Sequence, residues 1–454
     1  MTDRIADSAL YRHLWGTEEA RAVLGEDGRL RGWLEVLVTL ARVQADAGLI
    51  PAAAARLIAE HARADRIDLA YAAEQTRQSS HSMLGLIRAV QAVLPGEARE
   101  YVYTGATVQD VTDTWTALAL RRIGGIVWRD LRRIEERLLE LAVKHRSTVM
   151  AGRTHGQPGS PVTFGWKAAS WADEIRRHLD RLRDGAPRWL VGQLGGGVGS
   201  LVFYGEQGLA VRASFCAALG LADPGISWLT ARDRGAEFAQ LLALICGTLA
   251  RIGGEVYELQ RPEIGELRET VPDGTVGSIT MPHKRNPEAS EHLDTLARLV
   301  RSSAGVMAEA VVQQHERDGR GWKAEWVAWP EACLLATAAL RIAVGLTADL
   351  TVDAAAMRRN LDRYGGYLVS ERALALLTSR LGARQAQDRL QQVLAEGRAG
   401  GLTAEHALAR SALFSAVEAT ALTAEPDAGC CPQMTDLVIA RAAAARAAEP
   451  AEWP

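Results

Sequence analysis

At 454 residues the chain exceeds one ordinary domain, and 24% charged residues with a formal net charge of −3 exclude a strongly basic nucleic-acid or membrane-surface binder. No nucleic acid and no membrane are expected as partners, since no apolar run reaches the length of a membrane span. The start, MTDRIADSALYRHLWG, lacks the order of a signal peptide, so a cytoplasmic location is expected, with the five cysteines reduced and mostly packed.

Alanine, leucine and arginine dominate and β-branched clusters are few, so propensity leans to helix throughout and the fold class is all-α. The first hundred residues read as short helices, broken at Gly48-Leu-Ile-Pro51 and Leu94-Pro-Gly96. From Thr114 to Arg146, Leu118, Ile123, Ile126, Leu131, Ile134, Leu138 and Leu141 recur at spacings of three, four and five. That stripe predicts one helix of about 50 Å at 1.5 Å per residue. Further stripes run from about Pro161 to Asp184, Thr230 to Gln260, Pro287 to Gln314 and Pro330 to Leu346, and five such helices imply a bundle. Wide apolar faces on long helices need neighbours, which other copies of the chain supply most simply, so a homo-oligomer is expected. Near Thr351-Val-Asp353 the bundle pattern ends and the helix AAAMRRNLDRY begins. Domain boundaries fall near 103 and 350, giving an N-terminal helical domain 1–103, a long-helix bundle 104–350 and a C-terminal helical domain 351–454. The final alanine-rich stretch reads as a helix with a frayed end.

Four inter-helix segments are richer in Gly, Thr, His, Gln and Arg than connection requires: YTGATVQDVTDT (103–114), AGRTHGQPGSPVTFG (151–165), VGSITMPHKRNP (276–287) and HERDGRGWKAEW (315–326). Each abuts a long helix, and a helix N-terminus offers free amides and the positive end of its dipole to a carboxylate. In the first, Thr107 or Asp110 serves as an N-cap. In the second, His155 stands between Thr154 and Gln157. In the third, Pro282 and Pro287 stiffen the part that carries Lys284 and Asn286. No HExxH or other ligand cluster occurs among the ten histidines, so no metal and no cofactor is expected.

These segments resemble the signature regions of the fumarase/aspartase superfamily. Its longest motif, GSSxMPxKxNP, stands here as Gly277-Ser278-Ile279-Thr280-Met281-Pro282-His283-Lys284-Arg285-Asn286-Pro287, and the likeness continues through TGATVQD, GRTHGQP, TARDRGAEFAQLLAL and ELQRPEIGELRE. The resemblance implies three helical domains, a homotetramer built on a central bundle of long helices, and active sites shared among subunits. It also implies anti β-elimination from a substituted succinate, a small dicarboxylate or tricarboxylate, to give fumarate. Removing a proton beside a carboxylate adds negative charge to a group already charged, so the site must supply cations and hydrogen bonds where the aci-carboxylate forms.

By resemblance, Ser278 is the catalytic base and His155 protonates the leaving group or orients the substrate. Lys284 and Asn286 grip the carboxylates, while Thr107, Thr154 and Gln157 add uncharged hydrogen bonds. Arg317 clamps an anionic substituent, and Glu263 supports a histidine. The glycine run QLGGGVGS (193–200) resembles the superfamily's turn near the site.

The adenylosuccinate lyase and 3-carboxy-cis,cis-muconate cycloisomerase branches are the most similar. Where the former holds the nucleotide phosphate with a serine and an arginine, this chain has Trp322 and Trp326, and Tyr103 stands in place of its usual histidine, so no adenylosuccinate activity is expected. WGTEEARAVL, GWKAEW and MRRNLD resemble the cycloisomerase branch, from which His155-Gly156-Gln157 and Leu229 depart. With Val108 and Ile279 in place of hydroxyl residues, the pocket should be less polar than in either relative. A C–N or C–O lyase with a small leaving group, as in nitrosuccinate, is the expectation. The cycloisomerase is the alternative, and a non-catalytic helical scaffold is the third.

Overall fold

The apolar stripes become long helices. The structure, a computed structural model, describes residues 4–271 and 274–453. Five helices come first: α1 (Glu18–Leu24), α2 (Glu26–Asp46), α3 (Ala52–His61), α4 (Leu69–Ser79) and α5 (Leu84–Val93). The bundle follows with α6 (Val108–Lys144), a hairpin of β1 (Val149–Thr154) and β2 (Gln157–Thr163), α7 (Phe164–Trp189), α8 (Gly208–Ala218) and α9 (Asp233–Leu259). After β3 (Leu267–Arg268) come α10 (Glu288–Glu309) and α11 (Gly319–Ala348). The last region holds β4 (Thr351–Val352), α12 (Ala354–Asp362), α13 (Ser370–Leu381), α14 (Ala383–Ala399), α15 (Ala404–Arg410), α16 (Ala416–Thr423) and α17 (Cys431–Ala448).

α6 is 37 residues long, about 55 Å at 1.5 Å per residue. Ile123, Leu131, Ile134 and Leu138 on it are fully buried, as the stripe predicts. α9 packs against α10, α10 against α11, α6 against α7, and α11 against both α6 and α9. One continuous apolar core runs from Ala20 to Met357, so the first helices share the bundle's interior, while Ala373, Leu377, Leu390, Leu408, Phe414 and Leu422 form a separate small core.

Four sequence expectations need correction. The all-α class holds, but the helix expected from about Pro161 starts later: Pro161 lies in β2, and α7 opens at Phe164, where Thr163 accepts the Trp166 N–H at 3.2 Å. Proline lacks the donor a central strand needs but is tolerated in a two-stranded ribbon, which is all edge. Pro330 lies inside α11, not at its start. The helix begins eleven residues earlier because Asp318 caps it, accepting the Arg320 N–H at 3.0 Å, and burial of Trp322, Trp329 and Ala332 offsets the bond that proline removes. Next, α9 and α11 are long and apolar enough to cross a membrane by length and composition, although more than half of each apolar window, 56% and 61%, is buried inside the chain. Finally, the alanine-rich end docks: α17 packs on α7 and α6, and Glu449 beyond it accepts from Arg176 at 2.6 Å and from Arg132. All five cysteines are free thiols, with Cys430 alone exposed.

Candidate active site

All four polar segments lead into helix N-termini, those of α6, α7, α10 and α11. Their side chains form three groups within the chain.

The first group sits at the start of α6. The Thr107 N–H donates to Asp110 Oδ2 at 2.8 Å, a reciprocal capping bond. The same carboxylate accepts the Gly195 and Gly196 N–H groups at 2.8 and 2.9 Å, so the glycine run is fastened to the helix end. Burial pushes the Asp110 carboxyl up to about 6, against the pull of these hydrogen bonds. Arg317 reaches across from the segment before α11, with Nη1 donating to Thr107 Oγ1 at 2.6 Å and Nε to Gln109 Oε1 at 2.8 Å. Its guanidinium lies 5.9 Å from the Trp322 ring centroid. Tyr103, at φ 67°, turns in beside Asp110 and Arg317, and burial pushes its phenol up to about 12. Tyr103, Thr107 and Arg317 are therefore brought together. Gln109 and Asp110 complete the group: the sequence offered Asp110 as a cap, and Gln109 carried no signal of its own.

The second group is the hairpin tip. Thr154 pairs with Gln157 across a two-residue turn in which His155 (φ 52°) and Gly156 (φ 74°) are both left-handed, the pattern of a type I′ turn. Thr154, His155 and Gln157 are exposed there. The hairpin is anchored by Arg153, whose guanidinium donates to Glu266 at 2.9 and 2.7 Å. Asn360 of α12 donates to the same carboxylate at 2.8 Å. Glu266 is fully buried. Glu263 is exposed, and its carboxylate lies 3.9 Å from Arg261. The acidic residue of this segment that organises the site region is thus Glu266, three positions on, which sequence reasoning missed.

The third group is the 276–287 loop. Ser278 Oγ accepts the Met281 N–H at 3.0 Å, a bond that favours negative charge on that oxygen. Asn286 Nδ2 donates to the Gly277 carbonyl at 3.2 Å and tightens the loop around the serine. Lys284 is exposed and has no carboxylate within 4 Å among the described residues. The far end of the loop is fixed by Glu269, which accepts the Ala289 and Ser290 N–H groups at 3.1 and 2.8 Å where α10 starts. Among the described residues no hydrogen bond or ion pair joins this loop to the hairpin tip or to the Thr107 group.

Of the apolar replacements, Val108 and Leu229 are buried, the Leu229 carbonyl accepting from Gln109 at 3.0 Å, and Ile279 is exposed. Arg21 does not reach any of these groups: it donates to the Ala6 and Arg12 carbonyls at 2.9 and 3.1 Å. No cluster of three His, Cys, Asp or Glu side chains able to hold a metal occurs among the described residues.

A family described as lyase matches residues 11–301. The chain is 42% identical to an N-acetyl-S-(2-succino)cysteine lyase of Dickeya dadantii, over 85% of each chain. It is 40% identical to a 3-carboxy-cis,cis-muconate cycloisomerase of Pseudomonas aeruginosa, over 82% of each. A nitrosuccinate lyase of Streptomyces davaonensis is 36% identical over 84% of this chain and 83% of that one. Among solved structures, the 3-carboxy-cis,cis-muconate lactonizing enzyme of Pseudomonas putida superposes with a TM-score of 0.88 at 34% identity, covering 95% of this chain and 98% of the other. The matched family, these relatives and the bundle of long helices agree: the chain belongs to the lyase family of the fumarase/aspartase superfamily.

Proposed function

We propose that the protein is a lyase that eliminates a leaving group from a 2-substituted succinate to give fumarate, working as a homotetramer whose sites draw the three residue groups from different subunits. The observation that carries this reading is the Ser278 hydroxyl, which accepts a backbone N–H inside a loop that also presents Lys284 without a carboxylate partner. Both features favour an alkoxide. The serine oxygen takes the proton from the carbon beside one carboxylate. The C–H electron pair moves into that carboxylate as an aci-anion held by Lys284 and Asn286. It then returns to form the double bond as the leaving group departs with its own bonding pair, protonated by His155 where it is basic. Thr107, Thr154, Gln157 and Arg317 orient the substrate, and Tyr103 closes one wall.

The bond cleaved is C–N, C–O or, given the succinocysteine lyase at 42% identity, C–S. The test is a panel of nitrosuccinate, N-acetyl-S-(2-succino)cysteine, adenylosuccinate and 3-carboxy-cis,cis-muconate, followed by the absorbance of the new conjugated alkene. Fumarate from one of the first two is expected and none from adenylosuccinate. Ser278→Ala should lower turnover of that substrate by about 10³-fold or more with helical content intact, and near-normal activity in that variant would remove the serine from its role. The TM-score of 0.88 to the lactonizing enzyme favours cycloisomerase as the second reading, which conversion of carboxymuconate with no fumarate from the panel would select.

A further inference from the structure

Behind the Thr107–Arg317 group lies a cavity of about 120 Å³. Seven of the chain's 12 tryptophans line it, including Trp322, which carries Arg317 on its ring, and Trp326 beside it. Thr112 and Asp113, one turn further along α6 than Gln109, form part of the same wall.

Two properties of this cavity are not explained by packing. The first is a set of unanswered donors. The indole N–H of Trp329, a side chain only 3% exposed, has no hydrogen-bond partner among the described residues, nor do Trp33 Nε1 and Arg234 Nε. An unmet buried donor costs about 1–3 kcal/mol, and all three belong to residues that line this cavity. The second is charge. Arg232 is neutralised by Asp113 at 2.7 Å and Glu325 at 2.6 Å. Arg29 and Arg234 also line the cavity, stacked over Trp115 at 5.7 Å and Trp228 at 5.4 Å, and neither has a carboxylate within 4 Å among the described residues. Three arginines thus face two carboxylates across an aromatic wall.

We infer that this cavity binds an N-acylated or aromatic carboxylate, and that in catalysis it seats the remote half of the leaving group. Aromatic walls take the acyl or ring body, donor-only indoles take its carbonyl oxygen, and the unpaired guanidinium groups take its carboxylate. The cavity therefore favours a leaving group larger than nitrite. Its catalytic role rests on the lyase reading proposed above, whereas its binding of such an anion is read separately.

The test uses the full-length Ser278→Ala protein, so that no turnover interferes, titrated with hippurate and with N-acetylcysteine by calorimetry and by intrinsic fluorescence, which the tryptophan wall should report. Saturable quenching is expected. Arg29→Gln should weaken hippurate about tenfold, and hippuramide, which lacks the charge, should bind the parent protein correspondingly weakly. Replacing Trp329 with 3-benzothienylalanine keeps the bicyclic ring, exchanges only the N–H for sulfur, and should cost about fivefold. No saturable binding of either anion, or unchanged affinity in both well-folded variants, would overturn the assignment. A succinate panel without turnover counts against the lyase reading alone and leaves the titration standing as the measure of the cavity.

Discussion

Arg317 is the residue on which the Thr107 group depends, because one planar guanidinium holds two acceptors, Thr107 Oγ1 and Gln109 Oε1, at fixed angles. Lysine cannot reproduce that fork. Arg317→Lys should lower kcat/KM by about 10- to 100-fold with an unchanged circular dichroism spectrum; wild-type kinetics would show that the clamp is not used. Much at this scale was legible in the sequence, since motif chemistry resides in residue types and short spacings: Ser278, Lys284 and Asn286 do share one loop, and Tyr103, Thr107 and Arg317 do meet. Glu266 was not legible. Its role is set by contacts with Arg153 and Asn360, 113 and 94 residues away in sequence, and no local spacing carries such information. The unmatched donors of Trp33, Trp329 and Arg234 escaped for the same reason.

The elements show where local signals were sufficient and where they were overridden. Apolar period alone located the five bundle helices, yet it placed the start of α11 eleven residues late because Pro330 reads as a beginning, whereas tertiary burial carries the helix through it. Between α7 and α9 a buried polar chain joins the bundle. His178 Nε2 lies 2.8 Å from Thr248 Oγ1, and Thr248 donates to Glu174 at 2.5 Å. The threonine proton being engaged, Nε2 must be the donor. Nδ1, 3.3 Å from Arg181 Nη1, must then be the acceptor, so the ring is held neutral. Burial together with Arg181 lowers its pKa from 6.5 to about 4. The folded state thus binds fewer protons than the unfolded one between these values. Stability contributed by neutral His178 is complete above pH 6.5 and is lost as pH falls towards 4, by about 3 kcal/mol at most. Urea midpoints measured across that window should fall in the parent and fall less in His178→Gln; parallel curves would contradict the assignment. α2 meets α6 through Gly32, where a Cβ would come within 2.2 Å of the Trp115 ring. Gly32→Ala should cost about 1–3 kcal/mol in chemical denaturation and displace Trp115 from the cavity wall, and an unaltered midpoint would show that the ring has room to move.

At the scale of the whole molecule, one chain presents an unfinished surface. Leu244 on α9, Val312 just after α10 and Val327 on α11 are 55%, 75% and 62% exposed, an apolar load that suits contact with further copies of the bundle. Leu244→Glu should shift sedimentation from tetramer to smaller species and remove activity with it; a fully active monomer would refute shared sites. On the proposed tetramer, the hairpin tip with His155, the Ser278 loop and the Arg317 group, which have no mutual bonds within the chain among the described residues, would meet across subunits. The proposed tetramer and shared site rest on the resemblance of the motifs, since contacts between copies leave little more than wide apolar faces in a single sequence.

Mixing two inactive proteins tests most directly whether Ser278 acts as base in a site completed by other copies. Ser278→Ala and His155→Asn tetramers, each inactive alone, are dissociated together in mild denaturant, reassembled, and assayed on the substrate found in the panel. If the serine loop and the hairpin tip of each site come from different subunits, random reassembly restores about a quarter of the parental activity. No recovery from mixed tetramers of confirmed composition would contradict the shared serine site.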